Sequence, residues 1–389
     1  MWWTGPRIIM VLLITWISAG CGGSRACPAC QVIAPVALPS PVNFAELGKR
    51  LTVAFGPRTD RTTEQRTMLM LSGGGGFGAW GAAVLNGWAL AGNRPSFDVV
   101  TGVSTGAILG TFALLGGPAD DEILRVLYTK TTPADVYRTR PLLWALLFSS
   151  GLRNTAPFRE LIGRHVTDAV IDRVAAEGRK GRLFVVATVD ADVGILQLWD
   201  MTEVAMSPSP GRYDRYRTLL LAATAYPVLF PPVQIEGVLH FDGGTREQIF
   251  AHVVGLAVQQ AYVNVIPKPL PPPVAYLIVN GSLVVSRQCV SERIPALGLR
   301  AIEIALTQGL IGNLYKIGTV LDSTWQLRLS MIPSDFPIDP GKDSFDTGQA
   351  NRIYQKGLEW AKTLPWVDRK NFPEGTEKSP LGCEVRSSD

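Results

Sequence analysis

Ser104 stands at the centre of Gly102-Val103-Ser104-Thr105-Gly106. A serine hydroxyl is a weak nucleophile until the backbone thrusts it toward a base and a substrate. A G-x-S-x-G nucleophile elbow does this. Its flanking glycines Gly102 and Gly106 admit a sharp strand-to-helix turn and close packing, and the helix that follows points its first N–H groups at the reaction centre. The pentapeptide is common by itself, so its context decides. Here Phe97–Thr101 reads as a buried strand and a helix is expected from Thr105.

A second stretch suits developing negative charge. Gly73-Gly74-Gly75-Gly76-Phe77-Gly78 follows the apolar run Thr67–Ser72 and opens a helical pattern that ends near Gly92. Such a loop offers backbone N–H groups to an oxyanion or a phosphate without side-chain obstruction. The missing Gly-Lys-Ser/Thr excludes a P-loop. Gly73, Gly75 and Gly78 do fit G-x-G-x-x-G, but about 20 residues on, where a dinucleotide fold needs an acid, the chain reads Gly92-Asn93-Arg94.

The third requirement is a proton acceptor. The histidines are His165, His240 and His252. His165 sits in a charged helical stretch, and His252 follows the Asp242 loop. His240 lies two residues before Asp242, so on a strand the two share a face, and a Ser-His-Asp triad is open. A histidine and an aspartate this close in sequence do not readily line up in series with Ser104. The plainer readings of His240 are a strand residue near the surface or one that tunes Asp242.

These residues must be held by a larger frame. Strands are expected at Thr67–Ser72, Phe97–Thr101, Arg182–Asp190, Ile195–Met201, Val238–Phe241, Ala275–Val279 and Trp325–Ile332, and helices fall between most of them. That order implies an α/β domain with a mainly parallel central sheet flanked by helices. Further helices are expected from Asp120, over 156–164, 167–178, Tyr213–Thr224 and Ser291–Asp322, and from Asp346 to Lys362. The uncharged run Pro141–Phe148 reads as a buried helix, with a lipid-facing lid as the functional alternative.

Taken in order, Leu71-Ser72-Gly73-Gly74-Gly75-Gly76-Phe77-Gly78-Ala79, Gly102-Val103-Ser104-Thr105-Gly106 and Asp242-Gly243-Gly244 resemble the patatin-like phospholipases. The stretch from Ala222-Ala223 to Phe230-Pro231-Pro232 adds to the resemblance. It implies a three-layer patatin-like sandwich and a Ser–Asp dyad. Ser104 would attack an ester carbonyl and Asp242 would take its proton directly, with Gly243 and Gly244 holding the Asp loop close to the elbow. The oxyanion hole would come from the run Gly73, Gly74, Gly75, Gly76 and Gly78, with Gly74–Gly76 at its centre. No cofactor and no metal are implied. Many members carry Arg or Lys where this chain has Phe77, which favours an apolar contact and weakens the case for an anionic phospholipid. The expected activity is hydrolysis of membrane-lipid esters. The alternatives are acyl transfer by the same residues and a non-catalytic lipid-binding or scaffold role.

Composition fits this reading. A chain of 389 residues that is 47% hydrophobic can bury a large core. Its net charge of +4 has no basic run, so nucleic acid is not expected as a partner. Arg7, the apolar Ile8–Ile17 and Ser18-Ala19-Gly20-Cys21 read as a secretory signal over residues 1–20 with a lipobox, in which Cys21 becomes the lipidated N-terminus, although Ser18 replaces the usual aliphatic residue. Residues 21–65 read as a tether with a short helix near Ala45–Leu51, residues 66–365 as the acyl-hydrolase domain, and residues 366–389 as a polar tail. The expected location is the cell envelope, on a membrane. Cys27 and Cys30 suit a disulfide there, and Cys289 and Cys383 are a second candidate pair.

Overall fold

Alternation inside one short strand sets the layers. In Thr67–Leu71, Leu69 and Leu71 join one buried apolar cluster while Met68 and Met70 join another on the opposite face. A strand buried on both faces is what a parallel sheet covered by helices requires. The computed structural model describes residues 44–56, 65–141, 149–250, 271–283, 290–321, 325–339 and 342–368. The signal segment, all five cysteines, His252 and most of Pro141–Phe148 lie outside these residues.

In chain order, α1 (Phe44–Phe55) precedes β1 (Thr67–Leu71), a 3-10 turn at Gly75–Phe77 and α2 (Gly78–Leu90). The elbow strand is β2 (Val99–Gly102), and α3 (Thr105–Leu115) follows it. Helices α4 (Pro118–Thr129) and α5 (Pro133–Val136) lead to a small ribbon of β3 (Arg138–Thr139) and β4 (Arg153–Asn154). Next come α6 (Ala156–His165), α7 (Asp168–Arg179), β5 (Leu183–Asp190), β6 (Leu196–Asp200), α8 (Met201–Met206) and α9 (Arg212–Ala223). β7 (Val233–Ile235) and β8 (Val238–Asp242) form a hairpin that ends in a 3-10 turn, Gly243–Thr245. The described chain closes with β9 (Val274–Val279), α10 (Ile294–Val320), β10 (Gln326–Met331), α11 (Thr347–Ala361) and β11 (Val367–Asp368).

The strands make a nine-stranded sheet in which β10, β9, β1, β2 and β5 run parallel. β11, β6 and β8 pair antiparallel at its borders. One face is covered by α2, α3, α4, α7, α9 and α11, and the other by α1 and α10. The fold is therefore α/β, with a mostly parallel sheet between helical layers.

Packed structure reaches beyond the span 66–365 at both ends. Leu47, Leu51, Ala54 and Phe55 of α1 recur at helical spacing and are buried in the core. Arg50 pairs with the buried Asp200 at 2.7 Å. The short helix expected near Ala45–Leu51 is thus present, but it is part of the packed domain and not of a tether. At the other end, Trp366 packs against Trp88, Tyr276 and Trp360, and β11 pairs with β10.

Candidate active site

Ser104 takes φ 53 and ψ −124, a conformation that a side-chain-bearing residue rarely adopts. It lies between β2 and the first turn of α3, so the strain lifts it out at the sheet's carboxyl edge. The turn closes with Gly106 N–H donating to the Val103 carbonyl at 2.7 Å and Ala107 N–H to the Ser104 carbonyl at 2.9 Å. A Cβ on Gly106 would stand 2.3 Å from the Leu71 carbonyl oxygen. The second elbow glycine is thus fixed by the approach of β1, which pairs Leu71 with Gly102.

That pairing also carries the glycine loop to the same edge. Gly74 has φ 153 and lies so close to Asn280 that a Cβ would fall 1.8 Å from the Asn280 carbonyl oxygen. The N–H groups of Gly73 and Gly78, expected among the oxyanion donors, are engaged inside the loop. Gly73 donates to the Gln248 carbonyl at 3.0 Å, and Gly78 donates to the carbonyls of Gly75 and Gly76. Gly74, Gly75 and Gly76 line the same cavity as Ser104.

Asp242 ends β8 and is 2% exposed. Its Oδ1 accepts the Gly244 N–H at 2.7 Å, and its own N–H donates to the Ala225 carbonyl at 3.0 Å. Oδ2 is buried without a hydrogen-bond partner. Burial pushes the carboxyl up to about 7; the neighbouring Ser104 hydroxyl and the Gly244 N–H pull the other way without cancelling it. Ser104 lines the same cavity as Asp242.

Ser104, Asp242 and Gly73–Phe77 line one cavity of about 770 Å³. Apolar walls come from Ile108, Leu229, Phe230, Leu306, Leu310 and Ile338. Tyr226 also lines it, its phenol raised to about 12 by burial and then by the negative charges of Asp242 and Glu303. The size suits a drug-sized or lipid-like ligand.

The two described histidines, His165 and His240, stand apart from the cavity. His240 is 2% exposed, so it is not a surface residue. Its Nδ1 lies 3.0 Å from Thr188 Oγ1, its ring packs edge-on to Trp199, and burial lowers its pKa. Neither His240 nor His165 lines the cavity. Among the described residues, no three His, Cys, Asp or Glu side chains gather where a metal ion could be held.

Several supporting residues escaped the sequence reading. Asn280 Oδ1 accepts the Gly81 N–H at 3.1 Å, and its Nδ2 donates to the Ser72 carbonyl at 2.8 Å. Gln248 Nε2 donates to the Gly244 carbonyl at 3.1 Å, while its backbone carbonyl holds Gly73. Gln248 therefore joins the glycine loop to the Asp loop. The one available signal was position: Asn280 is the first polar residue after the apolar β9, and Gln248 follows Asp242-Gly243-Gly244 by four residues.

Residues 69–254 match the family model described as patatin-like phospholipase, a span that includes the glycine loop, Ser104 and Asp242. Among solved structures the chain is similar to the crystal structure of VipD from Legionella pneumophila. The two share 11% sequence identity with a TM-score of 0.37, over 79% of this chain and 69% of that one. No curated protein matches the chain.

Proposed function

With a patatin-like phospholipase domain over residues 69–254 as the premise, we propose that the chain is a serine acyl hydrolase of membrane lipids, with Ser104 as nucleophile and Asp242 as its base. Ser104 Oγ attacks the ester carbonyl carbon as its proton passes to Asp242 Oδ2. The oxyanion takes hydrogen bonds from the loop N–H groups of Gly74, Gly75 and Gly76. Collapse of the tetrahedral intermediate breaks the ester bond, and the departing alcohol leaves with the proton from Asp242. Asp242 then deprotonates a water, whose oxygen attacks the acyl-Ser104 ester; collapse of that second intermediate releases the fatty acid as the proton passes from Asp242 to Ser104 Oγ.

One observation carries this reading. A buried carboxylate with one unpartnered oxygen shares a cavity with a serine raised on a strained turn. An aspartate near its ordinary value of about 3.9 is a poor base for serine, but a dry site raises its basicity, and the burial of Asp242 acts in that direction.

The test is fluorophosphonate labelling of the purified protein, followed by product analysis on phospholipids, lysophospholipids and neutral glycerides, with Ser104→Ala as the blank. Labelling of the wild type alone is expected. A folded wild-type sample that takes no label ends the proposal.

A further inference from the structure

The glycine loop carries Phe77 and no cation, yet the cavity wall is not without one. Among the described residues, Arg153 and Lys342 are the cations that line it. Lys342 is exposed and paired with Asp346 at 3.3 Å. Arg153 is held differently. It opens β4, where its N–H donates to the Leu229 carbonyl at 2.9 Å, so its backbone is fixed to the rim segment that includes Phe230. Its guanidinium lies over the Tyr137 ring, 3.6 Å from the centroid. Tyr137 in turn packs against Phe230 and Phe345, and all three rings stand at or beside the cavity.

The acid nearest Arg153 is engaged elsewhere. Asp343 Oδ2 accepts the Tyr137 hydroxyl, and its Oδ1 accepts the Phe345 N–H at 2.9 Å. Arg153 Nη2 reaches Oδ2 only at 3.6 Å, longer than a hydrogen bond. A guanidinium has five donors in a planar fork that matches an oxyanion. Here that fork is oriented by an aromatic ring, loosely balanced by one carboxylate, and left a quarter exposed. Three acids line the same cavity among the described residues: Glu303 pairs with Arg300 at 2.9 Å, Asp242 is buried at the elbow, and Asp339 follows the wall residue Ile338.

We propose that Arg153 is a specificity residue that binds the phosphate oxygens of a phospholipid headgroup while the ester lies at Ser104. The proposal rests on the hydrolase reading. It gives the site a preference for phospholipids over neutral glycerides despite Phe77. The shared ligand chemistry is an oxyanion, and a fatty-acid carboxylate is the competing source.

The experiment compares kcat/KM on phosphatidylglycerol and on diacylglycerol in mixed micelles. In Arg153→Gln the phospholipid-to-diacylglycerol ratio should fall on the order of 10- to 100-fold, mainly through KM. Arg153→Lys should recover part of the loss. Asp343→Asn, which frees Arg153 from its counter-charge, should raise the ratio, and it supplies a test of opposite sign if Arg153→Gln fails to fold. Glycerol 3-phosphate should slow fluorophosphonate labelling of the wild type but not of Arg153→Gln. An unchanged ratio in folded Arg153→Gln, or protection by decanoate in place of glycerol 3-phosphate, overturns the proposal. If the wild type takes no label and cleaves no ester, the hydrolase reading fails. Calorimetry with glycerol 3-phosphate then decides the subsite: binding lost in Arg153→Gln supports it, and absent or equal binding overturns it.

Discussion

Gly102 and Asp242 occupy successive places along one edge of β5. Gly102 pairs with Val186 and Asp242 with Thr188, while β6 takes the other edge of both residues through Trp199 and Gln197. Partners two residues apart on a strand lie about 7 Å apart along it. The elbow that leaves Gly102 and the carboxylate that ends β8 therefore meet end to end, although Gly102 and Asp242 are 140 positions apart in the chain. The parallel β2 stops where the antiparallel β8 arrives, and this brings the serine elbow to the aspartate's end of the sheet, with neither His165 nor His240 lining the cavity that the two share.

Asp242→Asn should lower ester turnover by at least about 100-fold, because the amide cannot accept the Ser104 proton. His240→Gln removes a buried contact with Thr188 and a ring contact with Trp199, so it should cost about 1–2 kcal/mol of stability and leave most of the turnover. Steady-state kinetics on one ester with both variants checks this. Equal damage from the two would favour a triad.

Activity should depend on pH with an acid limb near 7. Asp242 must be ionised to act as a base, and burial holds its carboxyl at about 7, so kcat/KM should rise as pH rises through that value. Stability should run the other way. The unfolded chain ionises this group near 4 while the folded chain keeps it protonated to about 7, so the folded state binds the extra proton in that window. Stability conferred by the group is complete below about 4 and is lost as pH climbs to about 7, a change of up to about 4 kcal/mol. Asp242→Asn should remove that slope and melt higher than the wild type at pH 8. Denaturant unfolding at pH 5 and pH 8 measures it, and a parallel pH dependence in the two proteins would contradict it.

Gly74→Ala should be damaging where Gly92→Ala is not. Both glycines have positive φ, but a Cβ on Gly74 meets the Asn280 carbonyl at 1.8 Å and one on Gly92 meets nothing within 4 Å. Gly92→Ala should cost about 1 kcal/mol for its backbone alone. Gly74→Ala should cost roughly 2–4 kcal/mol or displace the loop, with turnover reduced about 100-fold through lost oxyanion donors. Thermal melts and kcat for the pair check the contrast.

Lipidation at Cys21 is proposed from the sequence alone. Cys21→Ala should move the protein from the membrane fraction to the soluble fraction of envelope extracts, and the wild type should incorporate labelled palmitate. Unchanged fractionation with no incorporation would remove the tether.

Most of the frame was legible in the sequence because it rests on local chemistry. Apolar runs such as Thr67–Leu71 and Leu183–Asp190 announce buried strands, and the glycine punctuation around Ser104 announces its turn. Helix α1 was legible only in outline, since Leu47, Leu51, Ala54 and Phe55 declare a buried face only once a partner face exists. The site was legible in its reacting groups and illegible in its supports. Asn280, Gln248, Tyr137 and Arg153 act across long separations in the chain, through hydrogen bonds and ring contacts that leave no period or motif. The engaged N–H groups of Gly73 and Gly78 were equally hidden, because a run of glycines does not reveal which of its donors the fold has taken.

Asn280 provides the strictest test of that hidden support. It is 2% exposed and directly follows β9, the strand that pairs with β1. Its backbone N–H donates to Ser72 Oγ at 2.8 Å, its side chain bonds Ser72 and Gly81, and its carbonyl stands against Gly74. It thus holds the glycine loop at the strand that enters it and at the helix that leaves it. Asn280→Ala would leave the Ser72 carbonyl and the Gly81 N–H unsatisfied in a buried setting, at a cost of about 2–4 kcal/mol. With the loop loosened, kcat should fall about 10- to 100-fold with little change in KM, since oxyanion contacts form in the transition state. Asn280→Asp keeps the acceptor for Gly81 but sets a carboxylate against the Ser72 carbonyl, so it should rescue neither stability nor rate. Denaturant unfolding and steady-state kinetics on the same preparations decide the matter. A folded Asn280→Ala with wild-type kcat would show that the loop holds its shape without this residue.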